Sequence, residues 1–378
     1  MAVTKEQVLT ALSRIAAPDG TPLPQARVLS DVVVTDGKVF FSMTVDAAAV
    51  KQWETVRKQA EEAVRAIPGV QSAMVALTAE RAGGAPRPAP AVRPSHGHSH
   101  GPGHTHAAPR AQPGIPGVDT VIAVASGKGG VGKSTTAVNL ALGLRDLGLK
   151  VGLLDADIYG PSIPKLLAIK EKPETIGGTR LKPISRYGLS VMSIGFLIDE
   201  ETPMIWRGPM VMSAITQMLR EVEWGTLDIL VVDMPPGTGD AQLTMAQQVP
   251  LKGAVIVSTP QDLALIDARR GVAMFKRVDV PVLGVVENMS YFVCPHCGTR
   301  SDIFSHGGAR HEAERLGVPF LGEVPLHMAI REKSDQGLPV VATDPDGEHA
   351  RIYREIATRV RDALKGESRA APKIVIEA

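Results

Sequence analysis

From residue 118 onward the chain alternates short apolar runs with longer amphipathic stretches. The runs at 121–125, 151–155, 191–194, 229–233, 254–258 and 282–286 are rich in β-branched residues and apolar on both faces, the pattern of strands buried in a parallel sheet. Helix starts fall near Lys133, Met210, Asp240, Asp262 and Gly308, with Asp240 read as an N-cap, and a last helix is expected over 348–364. This alternation predicts an α/β fold: a doubly wound, mostly parallel sheet with its functional site at the strand C-termini.

Residues 1–80 follow a different rhythm. Thr4 and Gln7 form a capping-box pattern ahead of Val8, Leu12 and Ile15 at helical spacing. Val28, Val32 and Val34 suggest a strand, Asp36-Gly37 a hairpin turn and 39–41 the return strand. Trp53, Val56, Ala60, Ala63 and Ile67 share one helix face, and 69–77 reads as another strand. The order α-β-β-α-β predicts a small α+β domain. Residues 81–117, rich in Pro, Gly, Ala and His, carry no apolar periodicity and read as a flexible linker ahead of the domain at 118–366; residues 367–378 form a tail. Within the linker, His96, His98, His100, His104 and His106 fit either loose capture of a transition metal or solvated low complexity.

Composition narrows the partners. Lys plus Arg total 41 against 40 Asp plus Glu, a net charge of +1, which gives no reason to expect nucleic acid or an anionic membrane as the main partner. No apolar run approaches the roughly 20 residues of a membrane span. Two cysteines are too few for a disulfide scaffold and no signal-peptide pattern opens the chain, so a reducing, cytoplasmic setting is expected. The length of 378 residues accommodates two or three domains.

The strongest chemical signal is GKGGVGKS at 127–134, set between the first strand of the larger domain and a helix. This is the strand–loop–helix context of a phosphate-binding loop. Gly127, Gly129, Gly130 and Gly132 let backbone N–H groups, with those of Val131 and Thr135, converge on phosphate oxygens at a helix N-terminus. Lys133 is placed to neutralise the transferring phosphates and Ser134 to hold Mg²⁺. A second apolar strand ends in Asp233, the Walker B arrangement, so Asp233 is expected to hold Mg²⁺ through water. Gly237 and Gly239 free the loop that follows it. Asp155 and Asp157, after the strand at 151–155, are expected on one side of its end, facing the phosphates.

The extra lysine in KGGVGKST, 128–135, makes the loop resemble the deviant-Walker-A ATPases. That resemblance implies a trans role for Lys128, reaching a partner chain's nucleotide, and hence a homodimer. It also implies that Asp157 positions the attacking water, that Asp155 supports the Mg²⁺ shell and that Asn288 contacts adenine. The guanine-reading N-K-x-D pattern is absent, which favours ATP.

Cys294-Pro295-His296-Cys297 adds a C-x-x-C that suits a redox pair, half a zinc site or half an iron–sulfur site. With no further cysteine in the chain, a four-cysteine site requires two chains; zinc has the alternative of Cys294 and Cys297 with His296 or His306. DADIYGPSIP (155–164), DMPPGTGD (233–240), ENMSYFVCPHC (287–297) and the small leading domain together resemble the Mrp-type, or ApbC, iron–sulfur cluster carriers. The resemblance implies a slow ATPase that carries a [4Fe–4S] cluster on Cys294 and Cys297 of two chains, receives it from a donor and passes it to apoproteins. An ATP-dependent zinc chaperone and a nucleotide-switched positioning ATPase are the other readings. A short, weakly basic C-terminus and balanced charge count against the second.

Overall fold

The structure is a computed structural model that describes residues 3–80, apart from 27, 31, 36, 47–48 and 71, and residues 114–366, apart from 178–179 and 198–207. The linker histidines and residues 367–378 lie outside the described residues. The chain divides into two compact units, residues 1–112 and 113–378.

The first unit comprises α1 (Lys5–Leu12), β1 (Val33–Thr35), β2 (Lys38–Asp46), α2 (Val50–Arg65) and β3 (Ser72–Glu80). Thr4 and Gln7 close the expected capping box, with Gln7 N donating to Thr4 Oγ1 at 3.3 Å and Thr4 N to Gln7 Oε1 at 3.0 Å. The sheet order is β1-β2-β3, with β1 antiparallel and β3 parallel to β2. Val8 and Leu12 of α1 and Val56, Ala60 and Val64 of α2 bury against Val39, Phe41, Met43 and Val75 of the sheet. The strand expected through Val28, Val32 and Val34 is shorter: only Val33–Thr35 forms it, while Leu29 makes an isolated bridge to Met43 and its neighbours pair with β2 on their own.

The second unit runs β4 (Val118–Ala125), α3 (Lys133–Asp146), β5 (Val151–Asp155), α4 (Ile163–Leu166), the ribbon β6 (Thr175–Ile176) and β7 (Arg180–Leu181), β8 (Ile184–Arg186), β9 (Leu189–Ser193), α5 (Gly208–Arg220), β10 (Leu227–Asp233) and α6 (Asp240–Gln248). It continues with β11 (Gly253–Ser258), α7 (Asp262–Arg277), β12 (Val282–Val293), β13 (Arg300–Ser301), α8 (Gly308–Leu316), β14 (Phe320–Leu326), α9 (Met328–Gln336), α10 (Val340–Thr343) and α11 (Glu348–Gly366). The sheet order is β13-β12-β11-β4-β10-β5-β9-β8, with β14 on β12. Pairing is parallel except at the two ends, where β8 and β13 run antiparallel to their neighbours. The apolar runs are buried as expected: every residue of β5 and β11 is. The N-cap of α6 is Gly239 rather than Asp240; Asp240 sits in the first turn, where its charge still faces the positive end of the helix. Among the described residues no helix is long and apolar enough to cross a membrane.

Candidate nucleotide site and cysteine hairpin

Strands β4, β5 and β10 end side by side, and their C-terminal residues build the site. Asp233 pairs in register with Val124 of β4 and Asp155 of β5, which sets two carboxylates beside the loop that leaves β4. That loop, Gly127–Gly132, turns into α3 with Gly132 at φ +80° as N-cap. Two of its glycines are required by space. A Cβ on Gly132 would lie 2.1 Å from Asn288 Nδ2, and one on Gly127 would lie 2.2 Å from the Asp267 carbonyl oxygen of α7. Ser126 Oγ donates to the Lys128 carbonyl at 2.8 Å and steadies the loop from inside.

Lys133 is buried. Its Nζ donates to Asp233 Oδ1 at 2.5 Å and to Ser134 Oγ at 3.1 Å, and lies 3.9 Å from Asp157 Oδ2. Lysine, serine and two of the three aspartates singled out in the sequence therefore converge. Asp233 is fully buried, and its Oδ2 has no hydrogen-bond partner in the protein. An orphaned carboxylate oxygen beside a serine hydroxyl is a hard, oxygen-only donor set, and it fits a hydrated Mg²⁺.

Asp155 departs from expectation. β5 stops at Asp155, so strand alternation does not extend to Asp157, and the Asp155 carboxylate is engaged by the chain around it. Asp155 Oδ2 accepts from Ser162 N and Ile163 N, both at 3.1 Å, and from Ser193 Oγ at 3.0 Å, while Oδ1 accepts from Asp157 N at 3.2 Å. It thus anchors the loop that carries Asp157. Burial, and next the Asp233 charge, push the Asp155 carboxyl up to about 7. Burial also raises Asp233 and Asp157, with Lys133 opposing both. The direct bond from Lys133 to Asp233 opposes the rise there.

Asn288 of β12 donates Nδ2 to the Val131 carbonyl at 2.8 Å, so the residue assigned to adenine rests on the phosphate loop itself. Lys128 is half-buried, and its ammonium has no ion-pair partner among the described residues. On the far side of the site the loop after Asp233 is held by Met234 N to Val124 O at 3.0 Å and Gly237 N to Ser126 O at 2.9 Å.

The two cysteines lie at the turn of the β12–β13 hairpin, where Cys294 N donates to Thr299 O at 3.0 Å and Gly298 N to Cys294 O at 2.9 Å. Cys294 is half-buried and Cys297 exposed. Hydrogen bonds from Thr299, and then from Cys294, lower the Cys297 thiol below its ordinary value, so it ionises more readily. Cys297 Sγ is 3.2 Å from Thr299 Oγ1. His296 is exposed in the turn; His306 turns toward Arg300, whose guanidinium lies 2.8 Å from Nδ1. Glu287, His306 and Glu323 converge within 4.8 Å, but Arg300 stands among them and already supplies the positive charge.

Sequence reasoning passed over Ser126, Ser193, Glu287 and Ser290. Glu287 carried a visible signal, a charge next to Asn288 at the end of an apolar strand. The work of the three serines depends on residues distant in sequence or on local bends.

Fold and site together define a P-loop NTPase. The sequence profile described as NUBPL iron-transfer P-loop NTPase matches residues 117–361, and the chain belongs to that family. A second profile, iron–sulfur cluster assembly protein, matches residues 5–76. The iron–sulfur cluster carrier protein of Synechocystis sp. is 42% identical over 364 residues, spanning 95% of this chain and 97% of its own. The iron–sulfur cluster transfer protein NUBPL of Dictyostelium discoideum is 56% identical over 253 residues, 66% of this chain and 78% of its own. A nucleotide-binding protein from Archaeoglobus fulgidus, solved in complex with ADP, is 40% identical and matches with a TM-score of 0.54 over 62% of this chain and 92% of its own. The septum site-determining protein MinD of Pyrococcus horikoshii, 21% identical, shares the fold with a TM-score of 0.50 over 67% of this chain and all of its own.

Proposed function

We propose that the protein is an ATP-hydrolysing iron–sulfur cluster carrier that works as a homodimer in the cytoplasm, holds a [4Fe–4S] cluster between Cys294 and Cys297 of two chains, and passes it from a donor to apoproteins. The observation that carries this reading is that one strand, β12, makes a phosphate-loop contact at Asn288 and leads directly into a turn holding a thiol pair, Cys294 half-buried and Cys297 exposed. A redox pair buried in one chain would not need the nucleotide site, and a plain NTPase would not need the thiols.

In the ATP-bound protein, the N–H groups of Gly129 through Thr135 cradle the phosphates, and Lys133 leaves Asp233 for the phosphate oxygens. Ser134 and Asp233 would hold Mg²⁺, which would neutralise charge on the nucleotide phosphates. Asp157 orients the attacking water, and Asp155 keeps that loop in place. Asn288 borders the adenine while its amide rests on Val131, and Lys128 reaches the partner's nucleotide. Two thiols per chain supply half of the usual four-thiolate complement, and a two-fold axis beside the hairpin supplies the other half. A cargo must leave, and an exposed hairpin shared by two chains releases it more readily than a buried site.

The test is anaerobic reconstitution with iron and sulfide, read as iron per chain, visible spectrum and mass in solution. The expected result is a dimer with about two irons per chain. A monomer that keeps a full cluster, or a dimer that takes up zinc alone, would overturn the proposal.

A further inference from the structure

β12 runs parallel between β11 and β14 up to Asn288, with smaller register irregularities opposite Ala254/Val255 and at Val285/Val286, and with Glu287 opposite Ser258 and Asn288 opposite Val324. The next rung with β14 is Phe292 opposite Leu326, so β12 carries a bulge between Asn288 and Phe292 that β14 does not share. Met289 sits in the bulge at φ +55°, a left-handed conformation that disfavours a long L side chain.

The bulge is pinned from one side. Ser290 is fully buried and its Oγ donates to Glu287 Oε1 at 2.6 Å. Glu287 is fully buried too, and its carboxylate also accepts from Gly307 N at 3.2 Å and Ala309 N at 2.6 Å, the start of α8. On the N-terminal side of the bulge, Asn288 touches Val131 and crowds Gly132. On the C-terminal side the chain runs through Tyr291, stacked at 4.0 Å against Arg300, into Cys294. The phosphate loop and the thiols are therefore joined by one short covalent path, with a strained, pinned bend in its middle.

We propose that Glu287, Met289 and Ser290 are positioning residues that couple the phosphate loop to the cysteine hairpin, so that nucleotide occupancy sets how Cys294 and Cys297 are presented. A nucleotide that draws the backbone at Val131 and Gly132 around its phosphates moves the acceptor of Asn288. The bulge converts that shift into a change of hairpin direction, while the Glu287–Ser290 bond holds the rest of the strand still. Strain at Met289 keeps two arrangements close in energy, as a switch requires. This inference rests on the reading of Gly127–Thr135 as an ATP site and of the cysteines as cargo thiols. It deepens that reading by naming the residues through which the two sites communicate.

The chain's own composition supplies the test. Its only cysteines are Cys294 and Cys297, so alkylation by iodoacetamide reports on the hairpin alone. The cluster-free protein is labelled with and without Mg-ATP, at concentrations that saturate each variant by its own titration. In the wild type, nucleotide is expected to change the labelling rate about fivefold or more. In Met289→Gly, where the bend is free of strain, and in Ser290→Ala, where the pin is lost, the ratio is expected to fall to within about twofold of unity. A merely structural effect would shift both rates and leave the ratio intact. Wild-type labelling that ignores saturating nucleotide, or full responses in both variants, would overturn the proposal. Because no cluster is present, a failure of reconstitution would count against the carrier reading without touching this result.

Discussion

The two ends of β12 are built to opposite rules. At Asn288 the strand enters a site whose charged groups are buried: Lys133, Asp155, Asp157 and Asp233 all are, Lys133 bonds Asp233, and Gly127 and Gly132 of the loop are backed by protein. At Cys294 and Cys297 the strand leaves the sheet for an exposed turn with a single hydroxyl near the outer sulfur. The first region gathers its lysine, serine and aspartates within one chain and, in the proposed dimer, takes only Lys128 from the partner; the second, in the same proposal, offers half of a ligand set. A site that must recognise ATP benefits from pre-organisation, because its donors then need no rearrangement as charge develops. A site that must give its cargo away benefits from exposure and from sharing.

The largest blow to this contrast should come from Lys133→Ala. It removes the cation nearest the phosphates and strands Asp233 as a buried carboxylate. Turnover should fall by at least about 10³-fold, and stability by about 3–5 kcal/mol, the range for breaking a buried pair. ATP hydrolysis assays and thermal denaturation measure both; near-normal turnover would place the chemistry elsewhere. Next in size is Lys128→Ala, where loss of a trans-acting cation should slow hydrolysis about 10²-fold with nucleotide affinity within about threefold. A wild-type rate in that variant would remove the argument for a trans-acting Lys128.

The cysteine end should respond in the opposite currency. Cys294→Ala and Cys297→Ala should each drop reconstituted iron from about two per chain to about a tenth of that, with ATP affinity unchanged. Iron retained in either single variant would mean that the ligand set does not need both thiols of each chain.

The contrast was unevenly legible in the sequence. The parallel strands announced themselves because residues buried on both faces leave no polar alternation, and the phosphate loop did so because its glycines, lysine and serine have few other uses together. β14 did not. Its sequence FLGEVPL is broken by Gly322 and Pro325, and pairing with β12 rather than propensity makes it a strand. β13 has only two residues and exists because the hairpin closes. In the site, residue types were readable but directions were not. Asp155 looks like Asp157 in sequence, and only the approach of Ser162, Ile163 and Ser193 turns it into a loop anchor. The left-handed Met289 leaves no compositional trace, since glycine or asparagine would be the usual signal.

The smallest effect tests the electrostatics of the buried end. The Asp155 carboxyl stands at about 7 in the folded protein against an ordinary 3.8. A raised folded-state value means that the native protein holds this proton more tightly than the unfolded chain does. The associated stability is complete below about pH 4 and is lost as pH rises through about 7. His349 has the opposite sign: burial lowers its affinity for a proton, so its contribution falls as pH drops. The two slopes overlap in a single melting curve, and the difference between wild type and Asp155→Asn isolates the carboxylate. Without nucleotide, the wild-type midpoint should fall by about 3–6 °C relative to that variant between pH 5 and pH 8. Added Mg-ATP should shrink the difference, because a cation near Asp233 favours the ionised pair. Parallel profiles for the two proteins would mean that the four donors around Asp155 keep it ionised throughout. The anchoring of the Asp157 loop would then be independent of pH, and the buried end of β12 would be fully charged at rest.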